Sequence, residues 1–216
     1  MNDARPWLVV CDFDGTISER DTLDEICRRF APPGVYEQAE AGLGARSMTL
    51  REVLRFEFEP IRGDHDQIVA ETVRSTTVRA GFGAFVTAAR SAGNRVVVIS
   101  SGFRDVIEPV LRREGLGDLE LVAHDVRFSP AGSRVIFRHG ELCELCGEEC
   151  KRSAVRALGH DGPVAYVGDG HSDRCAAEAA DRRFAIGSLA RHLSRRGLVY
   201  TPFRDFDDVR AGLLGT

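Results

Sequence analysis

The sequence predicts a doubly wound α/β core with a small all-helical insertion after its first strand. Three observations carry that prediction. Apolar runs of strand length end in polar, mostly glycine-bearing turns; helix-spaced apolar residues follow each run; and one long stretch between the first two runs has helical spacing and no strand. The strand runs are Leu8-Val9-Val10-Cys11 ending at Asp12, Arg95-Val96-Val97-Val98-Ile99 ending in Ser100-Ser101-Gly102, and Val164-Ala165-Tyr166-Val167 ending in Gly168-Asp169-Gly170. Continuous apolar runs with β-branched residues suit strands buried on both faces of a parallel sheet. Val106, Ile107, Val110 and Leu111 mark the helix after the second run, and Cys175, Ala176, Ala179 and Ala180 the helix after the third.

Between the first two runs, Leu23, Ile26, Cys27 and Phe30 share a helix face, as do Leu50, Val53 and Leu54, and Ile68, Thr72 and Val73. Pro32-Pro33-Gly34, Pro60 and Gly63 separate them. A parallel crossover needs only about a dozen residues. Residues 17–82 are therefore expected to form a helical unit of their own, with 1–16 and 83–216 as the core. The unit begins directly after the first strand's polar end, the position of a lid. Further on, Leu121-Val122-Ala123 and Arg134-Val135-Ile136-Phe137, split by Ser129-Pro130-Ala131-Gly132, read as a β-hairpin or a strand and ribbon.

The 216 residues carry a net charge of −4, which argues against general electrostatic binding to nucleic acid or an anionic membrane. No apolar run approaches the ~20 residues of a membrane helix, and the apolar stretch 7–11 is too brief for a signal peptide. A soluble, cytoplasmic protein is expected; oligomeric state is left open. Of the 29 basic side chains, 28 are arginine and one, Lys151, is lysine. A chain this biased retains lysine where a compact point charge serves and a planar fork does not, a retained surface residue being the alternative.

The chemistry concentrates at the strand ends. Asp12 and Asp14 flank Phe13 and precede Gly15, and strand alternation would point both carboxylates to one side. Two such groups persist together when a cation lies between them or one keeps its proton. Mg²⁺ prefers oxygen ligands and needs only a couple of carboxylates beside a substrate phosphate. Ser100 and the N–H groups of Ser101 and Gly102 offer donors to a phosphate at a strand-to-helix turn. Lys151 opens a predicted helix and brings full positive charge, and Asp169 and Asp173 form a third acidic cluster ahead of a helix. Singly, each could be a cap or turn residue; together, and in this order, they form a constellation.

These residues, as D-F-D-G-T, V-V-V-I-S-S-G, Lys151 and V-G-D-G-H-S-D, resemble in order and spacing the four motifs of haloacid-dehalogenase-type phosphatases. The likeness spans about Trp7 to Val209 and includes the helical cap of the phosphoserine phosphatase type on a Rossmann-like core. Within the superfamily it runs closest to the methionine-salvage branch acting on 2-hydroxy-3-keto-5-methylthiopentenyl-1-phosphate. The cues are Phe30-Ala31-Pro32, Gly81-Phe82, the cysteine-rich run before Lys151, and Pro202-Phe203-Arg204-Asp205-Phe206. The resemblance implies hydrolysis of a small phosphorylated metabolite. Asp12 would be the nucleophile and Asp14 the general acid and base. Mg²⁺ would be held by Asp12, the Asp14 carbonyl and Asp169. Ser100 and Lys151 would bind the phosphoryl group, and Asp173 would orient Lys151 or the metal's waters. In phosphoserine phosphatases an acidic cap residue and an arginine read the substrate's amino and carboxylate groups. Asp21 can stand at the first position; Glu57 falls at the second, with Arg55 two residues earlier. A carboxylate there repels a carboxylate substrate, whereas Arg55 keeps phosphoserine open. A phosphotransferase and a non-catalytic phospho-ligand module are the rival readings, the second weakened by the intact acid pair.

Six cysteines in a cytosolic-looking chain do not suggest a disulfide framework. Cys11, Cys27 and Cys175 fall on apolar faces and are expected in the core. His139, Cys143, Cys146 and Cys150 offer four ligands at the spacing of a closed structural zinc site, with plain thiols as the alternative. Zinc there would fix the loop that delivers Lys151. His124 and His171 are expected to be ordinary loop histidines.

Overall fold

The computed structural model describes residues 5–45, 47–138, 143–147 and 150–215. Its centre is a seven-stranded sheet in the order β4-β3-β2-β1-β5-β6-β7. The strands are β1 (Leu8–Cys11), β2 (Arg95–Phe103), β3 (Glu120–Arg127), β4 (Arg134–Ile136), β5 (Val164–Gly168), β6 (Arg182–Ala185) and β7 (Thr201–Pro202). All neighbours pair in parallel except β3 and β4, an antiparallel hairpin in which Asp125 faces Ile136. Leu8 aligns with Arg95 on one side and Val164 on the other, so the C-terminal ends of β1, β2 and β5 stand together. The chain leaves β1 toward β2 and later returns to β5 on its opposite side, making β1 the switch point beside which such sheets bind ligands.

Alternation along the buried strands feeds two cores. Val9, Cys11, Val98 and Val167 pack with Phe85, Ile107 and Phe206, residues of α5 (Phe82–Ser91), α6 (Arg104–Arg113) and α10 (Phe206–Leu214). Leu8, Val10, Val97 and Tyr166 pack with Ala154, Ala177 and Leu193, residues of α7 (Lys151–Ala157), α8 (Arg174–Ala179) and α9 (Gly187–Arg195). Phe82 and Phe206 meet edge to face at 4.8 Å, tying α5 to α10. This is the doubly wound α/β fold that the sequence predicts.

Among the described residues, four α-helices lie between β1 and α5: α1 (Thr22–Phe30), α2 (Val35–Gly44), α3 (Leu50–Phe58) and α4 (His65–Ser75). Helix α1 starts where Asp21 accepts hydrogen bonds from the Leu23 and Asp24 N–H groups, and α3 where Thr49 and Glu52 form a reciprocal capping box. The apolar spacing points to three of these helices. The fourth, α2, is rich in alanine, glycine and glutamate, and its buried residues are only Ala39 and Gly42. Ile26, Leu54, Phe58 and Ile68 form a third core with Phe103, Val106 and Val126, which seats these helices on α6 and the β3–β4 hairpin. Arg79 closes the insertion by donating to the carbonyls of Gly15 and Thr16, both at 2.8 Å.

Candidate active site

The first strand ends at Cys11, and Asp12 caps a tight loop, 13–17, closed by the Ser18 N–H on the Phe13 carbonyl at 2.9 Å. Asp14 therefore lies in the loop, not in the strand. The turn, rather than strand alternation, brings both carboxylates to one cavity of about 270 Å³. The turn needs Gly15, whose φ is +73° and whose Cβ, if present, would sit 2.6 Å from Asp169 Oδ2.

Lys151 lies at the floor of this cavity, 4% exposed, with Nζ 2.6 Å from Asp12 Oδ1 and 2.7 Å from Asp173 Oδ1. Asp173 is fully buried and saturated. Its Oδ1 also accepts from the Tyr166 hydroxyl at 2.8 Å, and its Oδ2 accepts from the Asp169 and Gly170 N–H groups at 2.9 and 2.8 Å. Lys151 and these donors hold the Asp173 carboxyl below its ordinary range against the cost of burial. Burial, with Asp173 and Asp169 nearby, pushes Asp12 well up, Lys151 opposing. Burial and Asp173 push Asp169 up to about 6, while the Thr16 hydroxyl, 2.8 Å from Asp169 Oδ1, pulls the other way.

Asp14 faces a different set of donors. Its Oδ1 accepts from the Thr22 N–H at 2.9 Å and hydroxyl at 2.5 Å, and its Oδ2 from Ser100 Oγ at 3.2 Å. Burial raises its carboxyl, these donors working against it. Ser100 accepts in turn from the Gly102 N–H at 2.8 Å, and a Cβ at Gly102 would reach within 2.5 Å of Asp14 Oδ2.

The donor set suits Mg²⁺. Oxygens of Asp12, Asp169 and Asp173 lie within 4.8 Å of one another, and hard carboxylate oxygens are what that ion takes. Asp173 is engaged by four donors, which leaves Asp12 and Asp169 as the side chains to hold a cation. Among the described residues one ammonium faces several buried carboxylates here, so a second positive charge is what the cluster lacks.

Above the floor, Leu43, Leu50, Val53 and Leu54 line the cavity together with Asp21, Asp24, Glu40 and Glu57. Glu57 is 6% exposed; burial, then Asp24 and Glu40, pushes its carboxyl up to about 8. The structure does not bring Arg55 to this cavity. The side chain is exposed, 3.9 Å from Glu59, with its guanidinium over the Phe137 ring. One residue-pair along α3 turns the chain from the outer to the inner face, and the carboxylate, not the guanidinium, points in. Among the described residues, no arginine lines this cavity.

Asp12, Asp14, Ser100, Ser101, Gly102, Lys151, Asp169 and Asp21 all line the one cavity, and Asp173 lies beneath it. Sequence reasoning passed over Thr22, Thr16 and Tyr166. A threonine opening a helix or ending a turn and a tyrosine in an apolar strand carry no signal of their own. His139 lies outside the described residues. Cys143, Cys146 and Cys150 come together, and their fourth neighbour is Cys175, all four thiols lying within 4.8 Å of one another. Cys175 is thus not a core residue: it is half-buried on the first turn of α8, facing the cysteine loop. His124 is buried on β3, accepting from the Arg138 N–H at 3.3 Å.

Asp12, buried and paired with Lys151, thus stands at the end of the central strand of the sheet. Residues 9–178 match the haloacid dehalogenase-like hydrolase family, and the chain belongs to it. It is 31% identical to a 2-hydroxy-3-keto-5-methylthiopentenyl-1-phosphate phosphatase of Exiguobacterium sp., over 96% of this chain and 97% of that one. It is 30% identical to a Bacillus cereus protein of the same name, over 95% and 94%. Among solved structures, the phosphoserine phosphatase of T. onnurineus superposes with a TM-score of 0.72 at 21% identity, covering 98% of this chain and 96% of that one. That likeness is one of fold. Among the described residues no helix is long and apolar enough to cross a membrane.

Proposed function

We propose that this enzyme is a Mg²⁺-dependent phosphomonoester hydrolase that works through an aspartyl-phosphate on Asp12, with residues 17–82 as a cap over the site. The observation that carries the reading is Lys151 held between Asp12 and Asp173 at 2.6 and 2.7 Å, at the mouth of β1. Both hydrogen bonds to Asp12, from Lys151 and the Phe13 N–H, fall on Oδ1; Oδ2 is the attacking oxygen. It forms the P–O bond as the ester P–O bond breaks, and the Asp14 carboxyl gives its proton to the departing alkoxide. The Asp14 carboxylate then takes a proton from the water that attacks phosphorus, releasing inorganic phosphate and Asp12. Thr22 fixes Asp14 for both transfers through its N–H and hydroxyl. Lys151 and the Ser101 N–H bind phosphoryl oxygens; the Ser100 hydroxyl and the Gly102 N–H join them by turning from Asp14 and from Ser100 Oγ, their partners without substrate, to the phosphoryl group. Asp12, Asp169 and the Asp14 carbonyl would hold Mg²⁺, which supplies charge neutralisation at the phosphoryl group.

The substrate we infer is 2-hydroxy-3-keto-5-methylthiopentenyl-1-phosphate, named for the relatives. Apart from its phosphate it is uncharged, with a ketone, a hydroxyl and an apolar thioether tail. Glu57, protonated at neutral pH with its carboxyl raised to about 8, can donate to a ketone. Leu43, Leu50, Val53 and Leu54 offer an apolar wall to the tail. A wall of carboxylates with no arginine among the described residues disfavours phosphoserine. The test is phosphate release from this enol phosphate, phosphoserine and phosphoethanolamine, with Mg²⁺ and with EDTA. Preference for the enol phosphate, dependence on Mg²⁺ and a loss of at least about a thousandfold in Asp12→Asn are expected. A preference for phosphoserine would overturn the substrate assignment, and turnover by Asp12→Asn the mechanism.

A further inference from the structure

We propose that Cys143, Cys146, Cys150 and Cys175 form a structural zinc site that clasps the two segments carrying Lys151 and Asp173. The four thiols lie within 4.8 Å of one another, and no disulfide joins them. Four sulfurs around one zinc, at about 2.3 Å each, stand about 3.8 Å apart, so the cluster needs little contraction to close on the ion. Thiolates select soft or borderline metals over Mg²⁺, and a site with four protein ligands keeps no open position for chemistry.

The backbone is already arranged around the sulfurs. Cys143 and Cys146 have the two-residue spacing of a metal-binding turn, which closes through the Gly147 N–H on the Cys143 carbonyl at 2.8 Å, with Gly147 at φ +70°. The Ser153 N–H and hydroxyl donate to the Cys150 carbonyl at 3.1 and 2.7 Å, which anchors Cys150 on the first turn of α7. Outer hydrogen bonds of this kind hold a ligand residue in place.

The placement gives the clasp its purpose. Cys150 immediately precedes Lys151, and Cys175 follows Asp173 by two residues. The ion would join the start of α7 to the start of α8 behind the Lys151–Asp173 bond. A second cavity of about 480 Å³ borders Cys146, Cys150 and Cys175 and shares Leu43, Leu50, His171 and Ser172 with the active-site cavity.

Metal analysis of the purified chain, dialysed without chelator, tests this independently of turnover. About one zinc per chain is expected, most of it lost in Cys175→Ser and retained in His139→Ala. Replacement by Co²⁺ in the wild type should give the intense sulfur-to-cobalt charge-transfer and visible bands of a tetrahedral tetrathiolate, which decides the question even where Cys175→Ser fails to fold. A wild-type chain without zinc whose thiols all react at once with a disulfide reagent would overturn the proposal. So would full zinc content in Cys175→Ser, zinc lost in His139→Ala, or iron in place of zinc.

Discussion

The floor and the roof of the active-site cavity are built on opposite principles. On the floor, each polar group is held by others: Asp173 by four donors, Asp14 by three, Lys151 by two carboxylates. The loop and helix starts that carry them rest on a sheet with apolar cores on both faces. The roof has apolar side chains interrupted by carboxylates, and Glu57 is buried with acidic neighbours and a raised pKa. The difference teaches a division of labour. A reaction that always involves the same phosphoryl group wants fixed charges, whereas the variable part of a substrate is read by a surface that can differ without disturbing them.

Breaking the floor should have the largest effect. Lys151→Met leaves Asp12 and Asp173 facing each other in a buried site. A stability loss of about 3–5 kcal/mol is expected by denaturant unfolding, with phosphate release down about a thousandfold. Lys151→Arg should not restore activity, since a planar fork cannot sit between two oxygens at 2.6 and 2.7 Å as a point charge does.

Changing the roof should alter selection more than rate. Glu57→Gln keeps a donor for a ketone and is expected to change kcat/KM for the enol phosphate by less than about tenfold. Glu57→Arg should lose that substrate and gain on phosphoserine. The raised pKa also sets a pH signature. Between 4.5 and about 8 the unfolded chain has released the Glu57 proton while the folded chain keeps it, so stability falls as pH rises across that window. Burial sustains the shift, with Asp24 and Glu40 from α1 and α2 adding to it. Urea midpoints measured across this range should show a shallower decline in Glu57→Gln than in the wild type.

The smallest effect lies beneath the floor. Tyr166→Phe removes one of four donors to Asp173, and about 0.5–1.5 kcal/mol of stability should go with it. The kcat should fall only modestly, because Lys151 and two backbone N–H groups remain. A severe loss would mean that Tyr166 governs the charge of Asp173 rather than sharing its support.

The two regions were also unequally legible in the sequence. Strand runs such as Val96-Val97-Val98-Ile99 and their polar ends announce the sheet, because burial on both faces writes an unbroken apolar word. Chemistry at strand ends is legible for the same reason: Asp12, Ser100 and Asp169 stand where an apolar run stops. Tyr166 and Thr22 were not legible, because their hydroxyls matter only through partners brought near by folding. Position within α3 decided between Arg55 and Glu57, and one exposed guanidinium beside an inward carboxylate cannot be told from spacing uncertain by a residue. Cys175 shows the converse error. Its alanine neighbours suggest an apolar face, and only the packing of α7 on α8 reveals the thiol beside the cysteine loop.

The central claim is that Asp12 carries the phosphoryl group, and the most direct measurement traps it there. Asp14→Asn, which should form the intermediate from an aryl phosphate with a good leaving group but hydrolyse it slowly, would be mixed with that ester and Mg²⁺, then quenched and reduced with borohydride. Peptide mass spectrometry should find position 12 converted to homoserine, and only when ester was present. Homoserine at another aspartate, or an unmodified Asp12 in an enzyme that has released one equivalent of the aryl alcohol, would contradict the account.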